Sequence, residues 1–211
     1  YIHPADQALL AEQGQAGLRT NLFESRKNLS EFAQGIAVKL GDFTDYRELV
    51  LYPAVDGDRF DLGGRTLEVI EVPGHTYGSI ALLDRANRQI FMGDACNSST
   101  LLIPGHSTSV EEYREALVRL HNMVDLFDRF FVFHGEGELP KTCIEDVLLI
   151  CDEILAGKNA GVLYVHLSSA FEGGGFKGIR ARNYPSMGIQ PDGRCGNLVY
   201  TAEGIYKKQE A

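Results

Sequence analysis

Three side chains able to ligate a divalent metal stand just past apolar, strand-like segments. They are His75 in Val72-Pro73-Gly74-His75-Thr76-Tyr77-Gly78-Ser79, Asp94 after Gly93, and His134 at the end of Phe130-Phe131-Val132-Phe133. In each case a glycine or a turn lets the backbone swing the ligand inward. Neutral imidazole suits zinc, iron or nickel, and a carboxylate with two oxygens can bridge a pair of ions, which makes Asp94 the natural bridge. One histidine after a strand is more often a satisfied polar group than a ligand, but three such strand ends together predict one site.

Other polar residues are candidates for holding a substrate. Asn97 lies in the polar run Ala95 to Thr100, and His106 closes a second Pro-Gly-His tripeptide that lacks the Thr-x-Gly-Ser context of the first. Arg180 and Arg182, two apart on a possible strand, would share a face and could grip an anionic group. The commoner expectation for each is a satisfied turn residue or a solvated pair.

The elements that must position these groups follow from the apolar spacing. The chain opens as a strand at Tyr1 to His3, then a helix from Pro4 to Glu12, and Leu18 to Phe32 has helical spacing, with Phe23 and Tyr46 as candidate pocket walls. From Leu49 the pattern becomes strands: Arg59 to Leu62, a Gly63-Gly64 hairpin, Arg65 to Val72, then Ser79 to Leu83 and Gln89 to Met92. Antiparallel strands ending on one edge would bring His75 and Asp94 together. Ser109-Val110-Glu111-Glu112 is a capping box opening a helix striped by Val110, Tyr113, Leu117, Leu120 and Val124. Phe130 to Phe133 reads as a central strand buried on both faces, and Thr142 to Glu145 as a second capping box. The last expected elements are a strand at Val162 to Leu167, a glycine-rich turn at Glu172 to Gly178 and a strand at Asn197 to Thr201.

With 211 residues, 44% of them hydrophobic and 23% charged, the chain can bury one ordinary core. The formal charge of -9 and the lack of a basic cluster argue against nucleic acid or an anionic membrane as a partner. No apolar run reaches the roughly 20 residues that span a bilayer. The four cysteines, Cys96, Cys143, Cys151 and Cys195, show no Cys-x-x-Cys spacing, so reduced thiols in a cytoplasmic protein are expected, with Cys96 the one near the site.

The blocks Pro73 to Ser79, Ile90 to Asp94 and His134-Gly135 resemble, in order and spacing, the metallo-β-lactamase superfamily of dinuclear metal hydrolases. The resemblance implies that His75 binds one metal, Asp94 bridges both and His134 binds the other. It implies an α+β fold, an αββα sandwich, present here as its second half over residues 1–157 with a small β-rich extension over 158–211. It implies two divalent ions, zinc foremost with iron or manganese as alternatives, activating water to attack a small-molecule ester, thioester, lactone or phosphodiester. One departure is large: the family's His-x-His-x-Asp-His motif is absent from these residues. The chain therefore reads as beginning in mid-domain, binding metal weakly and hydrolysing little by itself, with apolar sheet left for a second chain or a missing amino-terminal half to cover. Two other classes stay open, a metal-poor binding or regulatory module on the same fold and a di-iron redox relative.

Overall fold

The computed structural model describes residues 1–13, 50–134, 137–167, 175–184 and 187–208. The expected helix over Leu18 to Phe32, with Phe23 and Tyr46, lies outside them, as do Gly135 and Glu172 to Gly174 of the glycine-rich run.

Residues Pro4–Asp6 make a short 3-10 turn that leads into α1 (Gln7–Gln13). The segment before it is not a strand: Ile2 makes only an isolated bridge to Pro53. The larger sheet has six strands, in the order β1 (Arg59–Asp61), β2 (Thr66–Glu71), β3 (Ile80–Asp84), β4 (Gln89–Gly93), β6 (Arg129–Val132) and β7 (Glu138–Leu139). A second sheet of four strands runs β5 (Thr100–Leu101), β10 (Leu198–Tyr200), β9 (Gly175–Arg180) and β8 (Val162–Leu167). With α2 (Val110–His121) and α3 (Cys143–Leu155) the architecture is α+β. No described helix is long and apolar enough to cross a membrane.

Strand direction is what matters for the site. β2 pairs antiparallel with β3, and β3 antiparallel with β4, while β4 pairs parallel with β6. It follows that β2, β4 and β6 all run the same way and end on one edge. The strand expected between β2 and β4, here β3, pairs antiparallel with both and so gives those two a common direction.

Alternation along the strands selects the buried side. Ile70, Ala81, Leu83, Ile90, Met92, Phe130 and Val132 join one core with Val110, Tyr113, Leu117 and Leu120 of α2 and Ile144, Val147, Ile150, Cys151 and Ile154 of α3. The opposite side carries the cross-strand row Leu82, Phe91 and Phe131, all half-buried. Phe91 and Phe131 stack at 5.2 Å with Arg129 over the Phe131 ring. β6 is thus buried on one face only, and Phe133 lies beyond it with 77% of its surface exposed. Strand β9 also occupies Phe176 to Gly178, which the glycine content had marked as a turn.

The carboxy-terminal segment enters the same core through Ala181, Cys195, Leu198 and Tyr200. Asp146 of α3 ties it down, accepting from Cys195 N at 2.8 Å and Gly196 N at 3.2 Å. All four cysteines are free and buried. Hydrogen bonding to Cys195 and Cys96, together with burial, pushes the Cys143 thiol well up, and burial raises Cys151. Cys96 is packed in the core and does not line the site.

The two expected capping boxes separate. Ser109 Oγ accepts from Glu112 N at 3.1 Å and Glu112 Oε2 accepts from Ser109 N at 3.1 Å, so the first is complete. Thr142 is itself helical in backbone and makes no side-chain cap, so the second is not formed. Ser109→Ala should therefore lower stability by about 1 kcal/mol, whereas Thr142→Ala should stay within about 0.5 kcal/mol of the parent. Urea unfolding midpoints measure both, and equal losses would contradict the caps described.

Candidate metal centre

The turns before His75 and Asp94 are each built by a close approach at a glycine, to Tyr113 at Gly74 and to Phe133 at Gly93. At Gly74, a Cβ would collide with Cδ2 and Cε2 of the Tyr113 ring, so glycine lets α2 sit this close to the turn before His75. The turn is tied further by Gly74 N donating to Thr76 O at 3.0 Å, Thr108 N to Gly74 O at 3.1 Å and Ser107 Oγ to His75 O at 2.6 Å. The imidazole is oriented across the sheets: Nδ1 lies 2.8 Å from the Leu101 carbonyl of β5. A carbonyl only accepts, so Nδ1 carries the proton and Nε2 keeps a lone pair for a cation or a substrate proton.

Asp94 follows Gly93, whose φ of +56° is the left-handed conformation that turns the chain out of β4. Parallel pairing of Gly93 with Val132 then sets the ends of β4 and β6 side by side. His134 Nε2 comes to 3.2 Å from Asp94 Oδ1, with the carboxylate one-third exposed and the imidazole 64% exposed. Asn97 Nδ2 donates to the same Asp94 oxygen at 3.3 Å.

Tyr113 links the two loops. Its fully buried ring lies under Gly74, and its hydroxyl donates to the carbonyl of Ala95, the residue after Asp94, at 2.8 Å. Burial, with Cys96 beside it, raises the phenol well above its ordinary range, so it stays a neutral donor.

His75, Asp94 and His134 thus leave one edge of one sheet, and the Asp94 and His134 side chains touch. Among the described residues, however, no three His, Cys, Asp or Glu side chains gather into a group that could hold a metal ion. The topology explains the spacing. β4 and β6 are neighbours, whereas β3 intervenes between β2 and β4 and puts their ends about 9–10 Å apart. The donor chemistry of two imidazoles and a carboxylate, one imidazole with its second nitrogen already anchored, suits zinc or a similar cation.

The remaining candidates fall elsewhere. Asn97 is buried and engaged within its loop, its Oδ1 accepting from Ser99 N at 2.7 Å, so it supports Asp94 from behind. Ser98 Oγ beside it is buried without a hydrogen-bond partner. His106 is half-buried in a turn next to a cavity of about 260 Å³ bounded by Tyr77, Ile103, Ser107, Tyr206 and Lys207, and is not part of its lining. Arg182 makes a bidentate ion pair with Glu153 of α3 at 2.7 and 2.8 Å, and Arg180 stacks its guanidinium 4.5 Å over Tyr164. These two arginines brace the second sheet. Sequence reasoning placed Tyr113 in the apolar stripe and gave no sign of its hydroxyl contact; the adjacent glycines in both ligand loops were the only trace of close packing.

No family model matches the chain. Over 70 residues it is 36% identical to acyl-coenzyme A thioesterase MBLAC2 of Gallus gallus, covering 33% of this chain and 25% of that protein. Over 40 residues it is 48% identical to hydroxyacylglutathione hydrolase of Ruegeria pomeroyi, covering 19% of this chain and 16% of that protein. The chain thus spans a quarter or less of the length of these curated relatives. Among solved structures, a β-lactamase domain protein from Burkholderia ambifaria aligns with a TM-score of 0.45 and 21% identity over 73% of this chain and 44% of that one. A metallo-β-lactamase family protein from Thermus thermophilus aligns at 0.44 and 17% over 76% and 56%. Over these segments the chain is similar, then, to an acyl-coenzyme A thioesterase and a hydroxyacylglutathione hydrolase.

Two predictions test the packing around the site. Gly74→Ala should cost about 1–3 kcal/mol by forcing Tyr113 away, read as a lowered urea midpoint; an unchanged midpoint would contradict the contact. The Arg182 guanidinium, more than offsetting burial, holds the Glu153 carboxyl below its ordinary range. A carboxyl depressed in the folded state stabilises above its unfolded pKa and loses that effect as pH falls through the folded value. Arg182→Ala should therefore destabilise by about 1 kcal/mol at neutral pH, with the deficit shrinking below the ordinary glutamate range. A deficit independent of pH would show that packing, not charge, is what Arg182 supplies.

Proposed function

We propose that this chain belongs to the catalytic part of a metal-dependent hydrolase that cleaves small thioesters. The observation that carries the reading is the shared edge at which β2, β4 and β6 end, with His134 Nε2 3.2 Å from Asp94 Oδ1 and His75 held through Nδ1 on Leu101. The reading is supported by the names of two relatives, an acyl-coenzyme A thioesterase and a hydroxyacylglutathione hydrolase, whose substrates are both thioesters.

In this reading His75, Asp94 and His134 would hold divalent cations, zinc first. When bound, such cations supply Lewis acidity that makes water a nucleophile near neutral pH and polarises the scissile carbonyl. The protein's own part is geometric. Leu101 fixes the tautomer of His75, so its Nε2 lone pair faces outward without a proton to lose. The amide of Asn97 holds one Asp94 oxygen against rotation. Tyr113 keeps the two loops at a fixed separation from within the core.

The test is zinc uptake by equilibrium dialysis, combined with hydrolysis of a hydroxyacyl-glutathione thioester and a short-chain acyl-coenzyme A by the zinc-supplemented protein. The expected result is weak zinc binding and slow, zinc-dependent release of thiol, both reduced at least about tenfold in Asp94→Asn and in His75→Ala. Thiol release that is independent of zinc, or that survives both substitutions, would overturn the assignment.

A further inference from the structure

The turn that opens the chain, His3-Pro4-Ala5-Asp6, touches the loop that carries His75 and has no part in the function argued so far. The Asp6 carboxylate accepts two hydrogen bonds from that loop, from Thr76 Oγ1 at 2.6 Å and from Gly78 N at 2.9 Å. Thr76 is the residue after His75. Its backbone N–H donates to Ser79 Oγ at 2.9 Å, and the two hydroxyl oxygens are 2.9 Å apart. A hydroxyl has one proton, and the Thr76 proton goes to the carboxylate. The Ser79 hydroxyl must therefore be the donor to Thr76, giving a directed chain from Ser79 through Thr76 to Asp6.

His3 holds the other end of the same segment. Its Nδ1 accepts from Ala5 N at 3.2 Å, so the ring proton sits on Nε2, which donates to Glu71 Oε1 at 2.9 Å. Glu71 is the last residue of β2. The pair is shielded, with 15% of the His3 side chain and 30% of the Glu71 side chain exposed. One short turn therefore grips residues 71 and 76–78, on either side of His75. Gly78 shows how close the grip is: a Cβ there would lie 2.7 Å from Asp6 Cγ and 2.9 Å from His3 Nδ1. A side chain at 78 would open the contact.

The geometry points to Asp6 as a positioning residue for His75, acting through the Thr76 hydroxyl and the Gly78 amide to hold the imidazole at its angle to the sheet edge. The assignment rests on reading His75 as a ligand in the proposed hydrolase. Only a carboxylate accepts from both Thr76 Oγ1 and Gly78 N while keeping the chain directed from Ser79 through Thr76 to Asp6. The amide of Asp6→Asn offers one acceptor oxygen, so its NH2 group would face one of the two donors.

The experiment uses Asp6→Asn, Thr76→Val, the double variant and Thr76→Ser. Two quantities are measured on each folded protein: the 15N resonances of the His75 ring without metal, and the zinc dissociation constant. Asp6→Asn and Thr76→Val should each displace the His75 ring signals and weaken zinc binding at least about tenfold. The double variant should be no worse than Asp6→Asn alone, because that substitution already breaks the chain that Thr76→Val breaks. Thr76→Ser, which keeps the hydroxyl, should restore both quantities. Ring signals unchanged in both single variants, or no recovery in Thr76→Ser, would overturn the assignment and leave Asp6 as a tether of the first turn. If the parent protein takes up no zinc, the hydrolase reading fails separately, and the ring signals alone decide for or against Asp6.

Discussion

A single buried phenol side chain fixes the relation between the two loops on which the site depends. Tyr113 packs its ring against Gly74 and gives its proton to Ala95 O, so a residue of α2 touches the turn before His75 and the turn after Asp94 at once. Protein interiors are close-packed and transmit displacement, so neither loop can shift without the helix shifting too. A buried hydroxyl must also keep its partner, because leaving Ala95 O unpaired in the core would cost more than the bond itself contributes.

The sheet supplies what the phenol cannot. Two antiparallel pairings and one parallel pairing give β2, β4 and β6 a common direction, and each ends in a residue able to hold a cation. The parallel step matters most, since it needs a long crossover through α2 and makes the ends of β4 and β6 neighbours. The Asp94–His134 contact is the direct consequence. His75 is reached differently, across to the second sheet, where the Leu101 carbonyl of β5 orients it. Because β5 pairs with β10, the carboxy-terminal segment helps hold the strand that aims the first imidazole.

Legibility varied with how local the cause was. The Ser109 box was readable because it lies within one turn of helix and its partners are three residues apart. The Thr142 box, equally plain as a pattern, failed because the helix backbone already extends through Thr142, leaving no extended cap residue to accept. Phe130 to Phe133 looked like a strand buried on both faces because all its residues are apolar, yet only Phe130 and Val132 point into the core. The Tyr164 ring beneath Arg180 and the Glu153 carboxylate beside Arg182 come from distant chain positions that the arginine pair by itself does not reveal.

Local residue pattern thus determined the strands that deliver His75, Asp94 and His134, the α+β class and the first helix cap, since each depends on neighbours a few positions away. Tertiary structure decided which of those side chains touch, which histidine nitrogen is anchored, and that Asp6 and Tyr113 contact the loops that carry them. Those relations join residues 6 to 76 and 78, 75 to 101, 94 to 134 and 95 to 113. Contacts over such separations arise from strand order and helix packing, and no periodicity in the chain encodes them.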